Sequence, residues 1–296
     1  MSSQKIILIA GPTASGKSAK ALELARRGNG TIINADAMQV YAGLPILTNQ
    51  PDAATKREIP HQLYGVINPA TRFSAGKWRE AAITAIDKSL AEGHTPILVG
   101  GTGLYFKALL EGIADIPDVP EELRAKVEAH YGKVGEETFR KELATLDSES
   151  AARIAKNDRQ RLVRAFAVGA ETGRSLTDWQ KQTPAMALPD DLAIEEHLLM
   201  PPREELYAAC DKRFAEMMAH GAVEEARAFL KRGLDPELPA MKTIGLREIG
   251  AHLRGETSLD EAVAKAQQAT RNYAKRQVTW FRNQGSAFRG QHSEET

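Results

Sequence analysis

Cysteine is almost absent: Cys210 stands alone in 296 residues. That excludes an internal disulfide and any cysteine-based metal cluster, and it fits a reducing, cytoplasmic setting. Long hydrophobic runs are lacking too, since none approaches the ~20 residues a membrane-spanning helix needs. The first five residues, Met1-Ser2-Ser3-Gln4-Lys5, lead straight into an apolar stretch, so export is not expected. The seven histidines are scattered without ligand spacing, which predicts no zinc site. Internal repeats and low-complexity tracts are missing, and nothing in the sequence demands more than a monomer. Net charge is zero, with 39 basic and 39 acidic residues, but the balance hides a segregation. Residues 262–292 carry six Lys or Arg and no Asp or Glu, while residues 115–149 are acid-rich. A sign asymmetry of this kind points to a polyanionic partner better than the total does.

The most informative segment that is present is Gly11-Pro12-Thr13-Ala14-Ser15-Gly16-Lys17-Ser18. It satisfies the phosphate-loop pattern G-x-x-x-x-G-K-[ST] between an apolar run, Ile6–Ala10, and a helical stretch, Ala19–Arg27. In such a loop backbone N–H groups turn inward to cradle phosphate oxygens, the lysine sits against them, and the hydroxyl after it is offered to Mg²⁺. The following helix N-terminus adds partial positive charge. The chain is therefore expected to handle a phosphorylated ligand, and the pattern leaves open whether phosphate is transferred, hydrolysed or discarded.

The first hundred residues alternate strand, glycine turn and helix. Short strands are expected at Ile6–Ala10, Thr31–Ala35 and Thr95–Val99, with a helix over Gly76–Glu92 capped by Ser74. With no hairpin signals, this predicts a phosphate-loop NTPase-like α/β fold, a parallel sheet flanked by helices. Ligands in such sheets gather at the carboxyl ends of the strands, where the loop, Asp36 and Thr102 would all lie. Past Gly112 the pattern changes. A Pro-punctuated linker, Ile116–Pro120, opens a charged helical insertion, and Thr183–Pro189 marks its exit. His197–Met200 would return the chain to the sheet, and helices over Glu204–Ala219, Ala222–Arg232, Leu246–Leu253 and Leu259–Phe281 complete it. The expected domains are an α/β core over 1–115, an all-helical insertion over 116–190, and a return to the core with basic helices over 191–296. The segment Gly290–Thr296 is expected to be mobile.

Three further groups of residues can carry chemistry. Asp36 follows a strand and can serve as general base, metal ligand or helix N-cap. Gln39, one turn on, can read a base edge or face solvent. Gly100-Gly101-Thr102-Gly103 lets the backbone approach a ligand while Thr102 presents a hydroxyl, or it is simply a tight turn. No strand ends in the aspartate of an ordinary Walker B site, so Mg²⁺ should lean on Ser18, the ligand's phosphates and water. The N-K-x-D motif of GTPases is also missing. Finally, Asn157–Ala165 and the helix bearing Arg271, Lys275, Arg276 and Arg282 concentrate basic and amide groups, with Trp280 alongside. Either helix alone reads as a solvated face; together they suit a nucleic-acid backbone. Cys210, with Leu206, Phe214, Met217 and Met218 on one helical stripe, reads as core.

Taken together, these segments resemble the bacterial tRNA dimethylallyltransferases, also called tRNA isopentenyltransferases. The resemblance rests on the Gly11–Ser18 loop, Asp36 with Gln39 and Tyr41, Pro60-His61, the run Val99–Gly112, Asn157-Asp158 with Gln160-Arg161, and Lys275-Arg276-Gln277 with Thr279-Trp280. It spans roughly Lys5 to Phe281. It implies transfer of a dimethylallyl group from dimethylallyl diphosphate to N6 of the adenosine 3′ of the tRNA anticodon, in a cytoplasmic, monomeric enzyme. Gly11 to Ser18 would then hold the diphosphate, with Mg²⁺ at Ser18. Asp36 would be the general base, with Lys17, Thr102 and Arg213 as further catalytic groups. Contacts with the tRNA anticodon stem-loop would come from Asp36, Ala37, Met38, Gln39, Thr102 and Arg124, from Gln160, Arg161, Leu162, Val163 and Arg164, and from Lys242, Thr243, Ile244, Gly245, Leu246 and Arg247. Lys275, Arg276 and Arg282 join these through the basic C-terminal helix.

Three positions depart from the family pattern. Ala37 follows Asp36 where serine is common, Arg159 replaces a proline, and Ala209 stands where an arginine often precedes the Arg213 position. Rival readings are an adenylate isopentenyltransferase, a small-molecule kinase and a nucleotide-switched RNA-binding protein. The helical insertion and basic C-terminal helix argue against the first, and the missing Walker B aspartate against the second.

Overall fold

The structure is a computed structural model and describes residues 5–182, 188 and 192–284. Most of the expected exit stretch Thr183–Pro189, and all of Gly290–Thr296, lie outside the described residues. The chain forms two compact units, one from residues 1–110 with 187–296, the other from residues 111–186.

The first unit opens with β1 (Lys5–Ala10), α1 (Lys17–Gly28), β2 (Gly30–Asn34), α2 (Ala53–Glu58), β3 (His61–Gln62), α3 (Ala75–Ala91), β4 (Thr95–Gly100) and α4 (Gly103–Leu110). The second unit then supplies α5 (Glu121–Leu146), α6 (Ser148–Arg153), α7 (Arg159–Thr172) and α8 (Leu176–Gln180). The chain returns to the first unit with β5 (Ala193–Leu198), α9 (Arg203–Ala219), α10 (Ala222–Leu230), a 3₁₀ turn (Pro239–Lys242), α11 (Leu246–Leu253) and α12 (Leu259–Gln284).

All five strands run parallel in the order β3-β2-β4-β1-β5. Residue Ile7 of β1 stands opposite Ile97 of β4 on one side and Glu195 of β5 on the other. Side chains alternate across a strand, so each face needs its own cover. One face sends Ile6, Leu8, Ile33 and Leu98 into a core with Trp78, Phe106 and Phe281. The opposite face sends Ile7, Ile9, Ile32 and Ile97 against Ala21 and Ala25 of α1. Trp78 ties helix to sheet: its indole N–H donates to the Asn34 carbonyl at 2.8 Å, and its ring stacks on Tyr105 at 4.3 Å. Ser74 caps α3 as expected, accepting from the Lys77 N–H.

The returning strand begins four residues earlier than the sequence implied. β5 is an edge strand whose Glu195, Glu196 and His197 are only half-buried, so it lacks a clean apolar run. Lys5 and His197 both pair with Glu195 at 2.7 Å. The short strand β3 and the helix α2, capped by Asp52, were not expected from sequence.

The second unit packs around Phe139, Leu143, Leu162, Ala165 and Val168. Helix α5 is kinked at Gly135, which adopts φ 76°. Arg140 donates to the carbonyls of Ala151 (2.6 Å) and Ile154 (2.7 Å), satisfying the orphan end of α6. Asp147 caps the same helix from the other end. Burial raises its pKa, but hydrogen bonds from Ser150 and Thr177 outweigh that and hold it below the usual carboxylate range.

Candidate active site

Strand β1 ends at Ala10 and delivers the loop of residues 11–16, from which α1 departs at Lys17. Gly11 takes φ 148°, and a Cβ there would lie 2.3 Å from the Leu199 carbonyl oxygen, so the position requires glycine. Gly16 precedes the helix at φ 87°. The Lys17 ammonium folds over the loop, donating to the Pro12 carbonyl (2.5 Å) and Ser15 Oγ (3.4 Å). Burial pushes its pKa down to about 7; Asp36 opposes that shift, and Arg213 adds to it. Arg213, projecting from α9, donates to Thr13 Oγ1 and is itself shifted below its usual range by burial. A cavity of about 330 Å³ is lined by Thr13 to Ala19 with Asp36, Gly101, Lys212 and Arg213. Its lining suits an anion: three basic side chains, Lys17, Lys212 and Arg213, and the hydroxyls of Thr13, Ser15 and Ser18, on a loop of the phosphate-cradling kind.

A second cavity of about 230 Å³ adjoins it, sharing Thr13, Asp36, Thr48 and Arg213. Its other walls are largely apolar: Met38, Leu47, Cys210, Phe214 and Met217, with Thr243, Ile244 and Tyr273. Burial raises the Cys210 thiol, which keeps it protonated and fits the sequence reading of a packing residue, here one that also lines the cavity. Tyr273 is shifted far up by burial, with the charge of Asp36 adding to it, so it stays a neutral phenol.

Asp36 lies where the two cavities meet. Its backbone N–H donates to Asn34 Oδ1 (2.9 Å), and its Oδ1 accepts from the N–H groups of Met38 (2.8 Å) and Gln39 (3.4 Å). One carboxylate oxygen thus caps the local turn, so the cap reading and the active-site reading hold together. Thr102 Oγ1 accepts from the Ala37 N–H at 2.9 Å, which joins the β4–α4 turn to the segment that carries Asp36. Gly100 must be bare: a Cβ there would sit 1.9 Å from the Ala35 carbonyl oxygen.

Several sequence expectations need correction. Both amide hydrogens of Gln39 are engaged, donating to the carbonyls of Thr48 (2.9 Å) and Asn49 (2.8 Å), so the amide N–H groups hold a loop and do not read a base. Leu162 and Val163 are buried in the second unit's core and cannot present side chains to RNA; of residues 160–164, Gln160, Arg161 and half-buried Arg164 reach the surface. Likewise Gly245 is buried and Leu246 belongs to the main core, whereas Lys242 and Arg247 are exposed. Arg271 is not free for a phosphate, because it pairs with Asp211 at 2.5 Å. Lys275, Arg276 and Arg282 are exposed along α12. Within the second unit, burial lowers Arg164 below its usual range, with the neighbouring Arg124 charge adding to the shift and Asp118 opposing it.

Sequence reasoning missed two residues of the site. Gln277 reaches from α12 to both site loops, and Glu225 accepts from the N–H groups of Ile46 (2.7 Å) and Leu47 (2.8 Å), fixing the loop that carries Leu47 and Thr48. A signal for the first was available. Ala262, Ala266, Thr270, Ala274, Gln277 and Phe281 form the buried stripe of α12, and only one of them bears an amide.

A five-stranded parallel sheet with a phosphate loop after its first strand defines a P-loop NTPase-like α/β protein. A family model described as IPP transferase matches residues 39–284, and one described as isopentenyl transferase matches residues 4–60. The chain is 53% identical over 285 residues to a tRNA dimethylallyltransferase of Caulobacter sp. (strain K31), covering 96% of this chain and 91% of that protein. It is 50% identical to the one from Rhodospirillum centenum, covering 96% and 90%. Among solved structures, the tRNA isopentenylpyrophosphate transferase of Bacillus halodurans matches with a TM-score of 0.64 at 32% identity, covering 95% of this chain and 87% of that one. A eukaryotic dimethylallyltransferase, described as acting on tRNA, matches with a TM-score of 0.75 at 26% identity, covering 94% and 70%. The chain belongs to the tRNA dimethylallyltransferase family.

Proposed function

We propose that the protein transfers the dimethylallyl group of dimethylallyl diphosphate to N6 of the adenosine immediately 3′ of a tRNA anticodon, releasing diphosphate. The observation that carries this reading is that Asp36 faces the anion cradle and the apolar cavity at once. A diphosphate in the cradle directs its short hydrocarbon group toward Met38, Cys210 and Phe214, and a base extruded from an unpaired loop meets that group beside Asp36. Extrusion costs a few kcal/mol, least where the base is already unpaired.

In the displacement, the bond between C1 and the diphosphate oxygen breaks as the bond from N6 to C1 forms. Negative charge grows on the leaving group, where the loop N–H groups, Lys17 and Arg213 stabilise it. Positive charge grows on N6, whose proton passes to Asp36; a base so placed is worth roughly 10²–10⁴-fold. Thr102 keeps the Asp36 segment against the β4–α4 turn. Ser18 and Asp36 line the same cavity, so hard oxygen donors stand beside the cradle, which fits Mg²⁺. Mg²⁺ would be held by the Ser18 hydroxyl together with the diphosphate, and would neutralise charge on that group.

The RNA is a tRNA anticodon stem-loop, bound by exposed Lys242, Arg247, Lys275, Arg276 and Arg282 on the first unit. The helical insertion contributes Arg124, Gln160, Arg161 and Arg164. These cationic groups offset the cost of extrusion through phosphate contacts. No helix among the described residues is long and apolar enough to cross a membrane; we take the active species to be a cytoplasmic monomer.

The test is incubation with Mg²⁺, labelled dimethylallyl diphosphate and an A-rich anticodon stem-loop. Label in the target adenosine is the expected result. No label in RNA, alongside γ-phosphate transfer from ATP to a small molecule, would replace this reading with that of a kinase.

A further inference from the structure

Gln277 is nearly buried on α12, and its amide spans the two loops that frame the reaction. Its Oε1 accepts from the Thr13 backbone N–H at 2.8 Å, and its Nε2 donates to the Gly101 carbonyl at 2.8 Å. One partner is a donor and the other an acceptor, so the amide can lie only one way round. A Cβ on Gly101 would approach Nε2 to 2.2 Å, and one on Gly103 would meet the Trp280 ring at 2.0 Å. Helix α12 therefore seats directly against the β4–α4 turn.

The hydrogen bonds continue on both sides. Thr13 receives Arg213 on its hydroxyl, and Thr102, next to Gly101, receives the Ala37 N–H beside Asp36. From Arg213 to Asp36, the side chains on the anion side of the site are joined to those on the carboxylate side through this amide. Helix α12 is anchored independently, by Arg271 on Asp211 and by Gln267 donating to the Asp211 carbonyl of α9.

We infer that Gln277 is a positioning residue that sets the gap between the leaving-group cradle and Asp36. The inference rests on the displacement proposed above, in which the nucleophile enters beside Asp36 and the diphosphate departs into the loop. Such a reaction is steeply sensitive to that gap, since a misplacement of about 1 Å can cost roughly 10²-fold. Gln277 supplies no side chain to either cavity; its atoms are spent on Thr13 and Gly101. Its removal should then slow the chemical step without weakening either substrate.

The experiment compares the full chain with Gln277→Leu, which keeps bulk and removes both bonds, and Gln277→Glu, which keeps the acceptor for Thr13 and loses the donor to Gly101. Single-turnover transfer at saturating dimethylallyl diphosphate and stem-loop RNA should fall roughly 10²-fold in Gln277→Leu. The dissociation constants of both substrates should stay close to those of the unmodified chain. In the Asp36→Asn background the same substitution should cost far less, because a gap to a missing base no longer matters. If Gln277→Leu does not fold, Gln277→Glu carries the test and should lose rate while still binding both substrates. An unchanged rate, a loss confined to donor affinity, or full additivity with Asp36→Asn would each overturn the inference. An unmodified chain that transfers no label instead refutes the proposed reaction, so the two failures are distinguishable.

Discussion

Binding of dimethylallyl diphosphate should draw a proton onto Lys17. In the unliganded protein burial holds this ammonium at a pKa of about 7. A diphosphate placed against it adds several negative charges at contact distance and returns the group toward its ordinary range near 10.4. The sign follows directly: the bound state holds the proton more tightly, so binding takes one up. At pH 8 a group of pKa 7 is about nine-tenths neutral when free, which gives an uptake of about 0.9 proton per ligand. The cost of supplying that proton weakens apparent affinity with rising pH, roughly fivefold from pH 7 to pH 8 and roughly tenfold more from pH 8 to pH 9. Working at pH 8 keeps the substrate's own last ionisation out of the measurement. Titration calorimetry in HEPES and in Tris, at the same pH and Mg²⁺ concentration, reads the uptake as the slope of observed enthalpy against buffer ionisation enthalpy. Gln277→Leu should leave the slope in place, whereas Lys17→Met should abolish it. A slope near zero, or net proton release, in the unmodified chain would refute the account of Lys17 as a neutral amine awaiting an anion.

Asp36→Asn should reduce transfer roughly 10²–10⁴-fold with RNA affinity nearly unchanged, as measured by single-turnover assay and filter binding; an unchanged rate would put the base elsewhere. Glu225→Ala leaves the Ile46 and Leu47 N–H groups without their acceptor, so thermal melting should show a loss of about 1–3 kcal/mol, with a raised KM for the prenyl donor because that loop lines the cavity. Gly100→Ala drives a Cβ into the backbone at Ala35 and should cost about 3 kcal/mol or more, read as a lowered melting temperature. Lys275→Ala should weaken RNA binding uniformly across stem-loop sequences and flatten the plot of log K against log salt by roughly 0.7–0.9.

What could be read from sequence was whatever is local. The phosphate loop is eight consecutive residues whose glycines and lysine have one compatible backbone path, and α11 begins and ends where its apolar spacing says, at Leu246 and Leu253. Asp36 was legible because a strand end is a fixed place in a parallel sheet. Contiguous windows misled where a helix intervened. The family resemblance makes every residue of 160–164 an RNA contact, yet a helical turn sends Leu162 and Val163 inward and leaves Gln160 and Arg161 outside. The edge strand β5 hid because, among the described residues, one of its sides has no neighbouring strand, so its charged residues are tolerated and no apolar run announces it. Partners far apart in sequence were invisible for a different reason. Nothing near Thr13 indicates that its N–H is met by residue 277, and nothing near Leu47 points to residue 225.

The order of the sheet bears on how the chain is made. β1 is an interior strand, yet its second neighbour, β5, begins at Ala193, after the whole helical unit has been synthesised. Until then a nascent chain carries an apolar strand with one open edge, the kind of surface that recruits chaperones or pairs wrongly. The helical unit made in the interval, between residues 111 and 186, has a core of its own that draws on neither β1 nor β5. The anion loop is completed later still, when α12 emerges and brings Gln277 to Thr13, so a chain stalled between β5 and α12 would have its sheet complete and its site unfinished.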